Sequence, residues 1–382
     1  MTTAERIVTA GTETAKPANS SMAKLRRKLP QLTRMSRHAL SVIKHSTPRK
    51  LLNLAIVEME YRLRRTEVRG HPYIIIVDPL NVCNLRCPLC PTGTGDLDRK
   101  QQRMEWDTFT RTIDEVAPYA YEVNLHNWGE SLLHPLIFDM IEYVNSKNIA
   151  TNMSTNFNRA SDEKIDKLVT SGLEYLILSI DGITQDTYSK YRVRGNVNKV
   201  LGNVEKLIKR RRELGSRTPF IEWQFIAFEH NAHELEAAQE MAYAMGVDRF
   251  RVIPPGIPFA AKEPEKLKDD WFVKDEEGTV EAFQGDVPTS CFYLYRSITT
   301  NPDGGTAPCC IVYGDKNDFG DFKKEKLDDI WNNKKYQSAR SLFRKDGRAV
   351  EPTICDGCHI FKQHGRPAQS PDAIPFKEVK TE

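Results

Sequence analysis

No apolar run in this 382-residue chain approaches the roughly 18 residues needed to span a bilayer. The first twenty residues are polar and lack the apolar core of a secretory signal. Both absences point to the cytoplasm. No internal repeat is evident. Aromatic residues do not interleave with basic ones, so there is no stacking platform for single-stranded nucleic acid, and none is expected as a partner. Eight cysteines without a secretion signal favour metal ligation over a disulfide framework. Composition is otherwise that of a globular chain, 40% hydrophobic and 28% charged, and its length allows two or three units.

Acidic charge is scarce only at one end. The formal net charge is +3, but residues 1–70 hold 15 Lys/Arg and 5 Asp/Glu, so the head is about +10 and the remainder about −7. Residues 1–22, rich in Thr, Ala and Ser, are expected to be disordered. Residues 23–69 read as a basic helical extension, with Leu51, Leu52, Ala55, Met59 and Leu63 on one stripe and Arg62, Arg64 and Arg65 toward its end. Such a stripe ordinarily packs on the neighbouring domain. Peripheral membrane contact through 23–69 is the alternative.

Between 70 and 259, strand and helix patterns alternate. Strands are predicted at Tyr73–Val77, Glu122–His126, 149–155, Leu173–Ile180, 219–228 and 247–253, with helices at 106–117, 135–147, 161–171, 197–214 and 232–245. Six alternating strands imply an α/β fold with a parallel sheet and right-handed crossovers. The stretch is too short for a closed eightfold barrel of roughly 250 residues. In parallel α/β folds the site lies at the carboxyl ends of the strands. Residues 260–288 read as a linker, 289–366 as a small loop-rich cysteine unit, and 367–382 as a polar tail.

The most informative feature follows the first strand. Cys83, Cys87 and Cys90 stand in a C-x3-C-x2-C spacing. Three thiolates can hold three irons of a cubane cluster and leave the fourth without a protein ligand, whereas fully protein-held clusters take four cysteines. Zinc would need four ligands, and no obvious fourth lies nearby.

This spacing resembles the signature of the radical S-adenosylmethionine (radical SAM) enzymes, in which the open iron binds the amino and carboxylate groups of SAM. The resemblance implies an open, partial (β/α)6 TIM-like barrel. Trp128-Gly129-Glu130 resembles the family's Gly-Gly-Glu segment, in which the carboxylate takes the SAM ammonium and the glycine admits the methionine moiety. Leu89 stands where an aromatic residue commonly contacts adenine, which loosens that contact. Thr155, Asn156, Ser179 and Asp181 occupy strand ends where polar groups of similar enzymes bind the SAM carboxylate and ribose, and Glu222 and Gln224 are similar candidates. The stretch from Ser179 through Tyr188 to Tyr191-Arg192 is similar to a segment of radical SAM enzymes with a SPASM-type extension.

The second cysteine set is Cys291-x17-Cys309, then Cys355-x2-Cys358. Read alone, it fits a four-cysteine zinc ribbon and an iron–sulfur site equally. In context it resembles the opening of a SPASM domain. His364 and Ala368 stand where two further cysteines would continue it, so the resemblance is to the shortened twitch form with one auxiliary [4Fe-4S] cluster. Cys310, beside Cys309, is unassigned; it is a buried thiol, an exchangeable ligand or a hydrogen donor.

The resemblance implies an enzyme that cleaves SAM reductively to a 5′-deoxyadenosyl radical and abstracts a substrate hydrogen. An electron donor such as flavodoxin or ferredoxin is then required. A fully ligated auxiliary cluster agrees with two-electron oxidation of an alcohol, sugar or aminocyclitol. Epimerisation of a sugar or peptide through Cys310, or crosslink or thioether formation in a ribosomal peptide, are the alternatives. Residues 1–70 show no strand alternation, which argues against a leader-binding domain of strands followed by helices. A non-enzymatic cluster or zinc scaffold is disfavoured by the Gly129-Glu130 pair.

Overall fold

The computed structural model describes residues 40–274, 290–344 and 349–358. Residues 1–22, expected to be disordered, the first part of the basic extension, the linker beyond residue 274, His364, Ala368 and the tail lie outside the described residues. Helix α1 (Pro48–Leu63) leads into β1 (Ile74–Val77), α2 (Trp106–Val116), β2 (Glu122–Asn124), α3 (Ile137–Ser146) and β3 (Ala150–Thr155). Then follow α4 (Asp162–Thr170), β4 (Tyr175–Ser179), α5 (Val197–Glu213), β5 (Phe220–Ile226), α6 (Leu235–Met245) and β6 (Arg249–Ile253). Every predicted strand and helix of the barrel forms, within a few residues of its expected ends. Local chemistry sets the starts: Ser161 and Asn196 accept from the backbone N–H of Lys164 and Lys199, capping α4 and α5.

The six strands pair in parallel in the order β6-β5-β4-β3-β2-β1. Along each, alternate side chains face opposite ways. Ile75, Val77, Val123, Met153, Leu178, Trp223 and Phe225 are fully buried, in a single hydrophobic cluster that includes residues of the helices. Paired residues share a face, so Asn124, Asn152, Tyr175 and Phe220 form one layer of the opposite, lumenal face, and Ser154, Ile177, Glu222 and Arg249 form the layer above it. Ser179, Gln224 and Arg251 form the next. The lumenal face is mixed, its polar groups interleaved with Ile76, Ile177, Phe220 and Ile226.

The C-terminal unit joins this sheet. Its first strand, β7 (Ser297–Thr300), pairs in parallel with β1, and β8 (Gly305–Ala307) and β9 (Gly320–Asp321) continue antiparallel to make nine strands. Trp331, Tyr336 and Phe343 belong to the same core cluster as the barrel. Arg99 is buried between the two parts and bridges Asp303 and Asp318 at 2.5 Å each.

Helix α1 corrects the expectation of a packed apolar stripe. Its inward residues are Lys50, Asn53, Val57 and Glu60, while Leu51, Leu52, Met59 and Leu63 are 50–64% exposed. Lys50 Nζ donates to the Asn148 carbonyl at 2.7 Å, Asn53 pairs in both directions with the His71 backbone, and Glu60 accepts from the N–H groups of Arg69 and Gly70. Asn148 lies just before β3, and residues 69–71 lead into β1. The helix thus caps the amino-terminal ends of the strands. Backbone groups there need hydrogen-bond partners, which an apolar face cannot provide.

Candidate functional site

The loop after β1 carries Cys83, Cys87 and Cys90 at the carboxyl mouth of the barrel. Cys90 N donates to the Cys87 carbonyl at 3.1 Å, and Pro91–Thr94 follows as one helical turn. A Cβ on Gly93 would stand 2.4 Å from the Cys87 carbonyl oxygen, so the loop folds over a position only glycine can fill. Leu85, Leu89, Tyr191 and Phe228 form a separate apolar cluster with the three cysteines. Burial pushes the Cys83 thiol up to about 12 and Cys87 to about 11, so a cationic partner is needed to hold them as thiolates. Two side-chain donors reach the sulfurs: Asn156 Nδ2 lies 3.8 Å from Cys83 Sγ, and Arg192 Nη1 lies 3.9 Å from Cys87 Sγ. Three soft ligands with N–H donors and an apolar wall fit an iron–sulfur cluster.

Glu130 sits directly beside this loop, its backbone N–H donating to Val82. It is buried, and its carboxylate accepts from Thr155 Oγ1 at 2.6 Å, Asn156 N at 2.8 Å and Leu132 N at 3.1 Å. Burial raises its pKa against these donors. Gly129 has no room for a side chain, because a Cβ would fall 1.8 Å from the Leu80 carbonyl oxygen. Cys83, Gly129, Glu130, Thr155 and Asn156 are therefore brought into one constellation.

Asp181 is fully buried and reaches outward only through Arg192, whose Nε donates to Oδ2 at 2.6 Å. Its Oδ1 accepts from Ile226 N. Burial opposes the charge of Arg192, but Asp181 and Cys87 hold its pKa well above the ordinary value, so it stays cationic. Ser179 Oγ bonds Ser154 Oγ at 3.0 Å on the lumenal face. Glu222, given above as a cofactor candidate, is taken up by Arg251 Nε at 2.6 Å, Arg249 Nη1 at 2.9 Å and Tyr175 Oη at 2.6 Å, and Gln224 accepts from Arg251. These two face the β6 arginines, which occupy the Glu222 carboxylate. Across the lumen, Nδ1 of His126 is buried and unpartnered. Burial, then nearby Arg251, lowers its pKa to about 4.

Sequence reasoning missed three residues. Arg192 was legible only as part of the Tyr191-Arg192 stretch. Gly93 carried no signal apart from its closeness to Cys90. Asp78, one residue past β1, is fully buried and accepts from Gly129 N at 3.3 Å, and it also receives the backbone of Trp128 and Asn127. It ties the Gly129-Glu130 turn to the strand that launches the cysteine loop.

In the C-terminal unit, Cys291, Cys309, Cys355 and Cys358 line one cavity of about 150 Å³, walled by Phe259, Leu294, Val312 and Phe343 among others. Burial pushes the Cys291 thiol up to about 12 and those of Cys309 and Cys355 well above their ordinary value. Four thiols converging on an apolar cavity fit a fully ligated cluster. Cys310 does not line it. Its Sγ donates to Tyr293 Oη at 3.5 Å, and burial raises its pKa.

Comparison with known proteins agrees with this geometry. The model of the radical SAM superfamily matches residues 77–224, and that of an iron–sulfur cluster-binding domain, SPASM, matches 291–359. The chain is 25% identical over 316 residues to a tungsten-containing aldehyde ferredoxin oxidoreductase cofactor-modifying protein of Pyrococcus furiosus, covering 73% of this chain and 87% of that one. It is 22% identical over 314 residues to an AdoMet-dependent heme synthase of Methanosarcina barkeri, covering 72% and 88%. Among solved structures, Streptococcus suis SuiB bound to its precursor peptide SuiA superposes with a TM-score of 0.56 at 12% identity, covering 88% of this chain and 76% of that one. At that identity the likeness is one of fold.

Proposed function

The chain belongs to the radical SAM superfamily and carries a SPASM-type iron–sulfur domain, and from that premise we propose that it dehydrogenates a small, polar alcohol such as a sugar or aminocyclitol. When bound, the reduced cluster and SAM supply hydrogen-atom abstraction from an unactivated C–H bond, and an auxiliary cluster supplies an acceptor for a second electron. The protein's own share is to hold, orient and insulate. Cys83, Cys87 and Cys90 hold the first cluster, and Cys291, Cys309, Cys355 and Cys358 the second. Arg192, fixed by Asp181, offsets the anionic charge gathering at Cys87. Glu130, fixed by Thr155 and Asn156, would hold the ammonium of SAM, and Gly129 would let the methionine moiety approach the backbone. Leu85, Leu89, Tyr191 and Phe228 keep water from the sulfurs.

The observation that carries this reading is the set of polar side chains in the lumen. Asn124, Asn152, Ser154, Gln224 and Arg251 are all partly accessible and face one space. They offer donors and acceptors to a hydroxylated substrate, and His126 lies two residues beyond Asn124 on the same strand face with its Nδ1 unpartnered. A thin apolar lumen would instead have suited a hydrocarbon.

A second reading is peptide modification, since proteins similar to this chain include PqqA peptide cyclases, 23% identical over 313 residues in Ruegeria pomeroyi. Against leader recognition by strands, described residues 40–70 contain helix and turn only.

The test has two parts. Anaerobically reconstituted wild type should hold about eight irons and a Cys83/Cys87/Cys90→Ala triple variant about four. Four in the wild type and none in the variant, with zinc retained in both, would make the C-terminal unit a ribbon and remove the oxidation reading. Dithionite-reduced enzyme given SAM and panels of sugars, aminocyclitols and peptides should then form 5′-deoxyadenosine with an alcohol, and a product two hydrogens lighter. A response to peptides alone would favour maturation.

A further inference from the structure

The outward face of α1 is apolar where the inward face is polar. Leu51, Leu52, Met59 and Leu63 lie on it, and Leu40 and Ile43 of the preceding helical residues are 63% and 71% exposed. At 100° per residue, Leu51, Ala55, Met59, Leu52 and Leu63 span one arc of about 120°. Arg62 lies in that arc, and beyond the helix end Arg65, Glu67 and Arg69 follow it, all exposed, with a net positive charge. The two acids of the helix are turned inward: Glu58 bonds Tyr73 Oη at 2.8 Å and Arg296 at 2.6 Å, and Glu60 holds the backbone of residues 69 and 70. The exposed face of the helix therefore carries apolar and cationic side chains and no carboxylate. Upstream, residues 1–39 add eight Lys/Arg against two Asp/Glu.

We propose that this face docks on an anionic membrane surface, with the axis of α1 lying along the bilayer. Leucine and methionine side chains enter the acyl boundary while Arg62, Arg65 and Arg69 meet lipid phosphates. A second copy is the alternative occupant of this face, and the experiment below separates the two. No helix among the described residues is long and apolar enough to cross a membrane, so the contact is peripheral. Since α1 caps the amino-terminal ends of the strands, the docked enzyme turns its cysteine mouth away from the bilayer and takes its substrate from the water side. This goes beyond the proposed reaction and does not depend on it.

Flotation of the full-length reconstituted protein tests the proposal. Vesicles of phosphatidylcholine with about one third phosphatidylserine are compared with phosphatidylcholine alone. The wild type should float with the anionic vesicles and not with the neutral ones, and raised salt should release it. A Leu52→Asp, Met59→Asp variant should lose roughly tenfold of the bound fraction, with wild-type iron content and melting. A Leu52→Gln, Met59→Gln pair serves if the aspartates disturb the helix. Absence of binding to anionic vesicles overturns the proposal. So does equal flotation of wild type and both variants, which would place binding in residues 1–39. A wild-type dimer that becomes monomeric in the variants, without vesicle binding, would assign the face to a second copy instead.

Discussion

Asp181 holds Arg192 by a single 2.6 Å bond to Nε, and the same guanidinium reaches Cys87 Sγ at 3.9 Å through Nη1. A buried carboxylate thus aims a cation at a cluster-site sulfur without approaching it. Outer partners of this kind typically carry 10–100-fold in activity. Asp181→Asn should keep wild-type iron content and lower SAM cleavage by about that factor. Iron analysis beside 5′-deoxyadenosine formation measures both, and loss of iron would show that Asp181 is needed for the loop itself.

Two glycines should fail in different ways. Gly93→Ala presses a methyl on the backbone of Cys87 and should cost iron at the first site. Gly129→Ala presses on Leu80 and should spare iron while abolishing the change that SAM makes in the EPR signal of the reduced cluster. Each clash is with backbone, so an adjustment costing on the order of 1–3 kcal/mol is expected. Matching phenotypes would refute the division of labour.

Asp78 predicts a pH dependence. Burial raises its pKa to about 7 against the backbone donors of residues 127–129. A raised carboxyl pKa favours the protonated form in the folded state, so its stabilisation is full below about pH 4 and is lost as pH rises through about 7. The wild type should therefore lose stability relative to Asp78→Asn between pH 5 and 8, by on the order of 2–3 kcal/mol. Paired thermal melts across that range give the difference, and a flat difference would rule out titration of Asp78.

Cys309 and Cys310 are adjacent but differently placed. Cys309→Ala should reduce the iron of the wild type by about half, and Cys310→Ala should leave it unchanged. A Cys310→Ala protein that binds both clusters but no longer inverts a substrate centre would move the reaction from oxidation to epimerisation.

Arg99 joins the cysteine-loop side to the C-terminal unit. Arg99→Met leaves Asp303 and Asp318 facing each other, and burial has already raised Asp318 to about 6. The loss should be about 3 kcal/mol near pH 8 and smaller at pH 5, where the Asp318 carboxyl is protonated. Denaturant melts at the two values test it.

By itself the sequence determined what is local. Strands and helices followed from periods of two and 3.6, and the cysteine spacing carried its chemistry because ligands within eight residues stay together in almost any loop. Gly129 and Glu130 were legible for the same reason. Only the tertiary structure decided which way α1 faces: strand-start backbone claimed its polar side, leaving the apolar stripe outside. It also decided that β7 extends the barrel sheet through β1, that Glu222 answers to Arg249 and Arg251, and that Asp181 acts through Arg192. Each joins segments distant in sequence through hydrogen bonds or charges. Their strength depends on burial and angle, and neither is written in residue order.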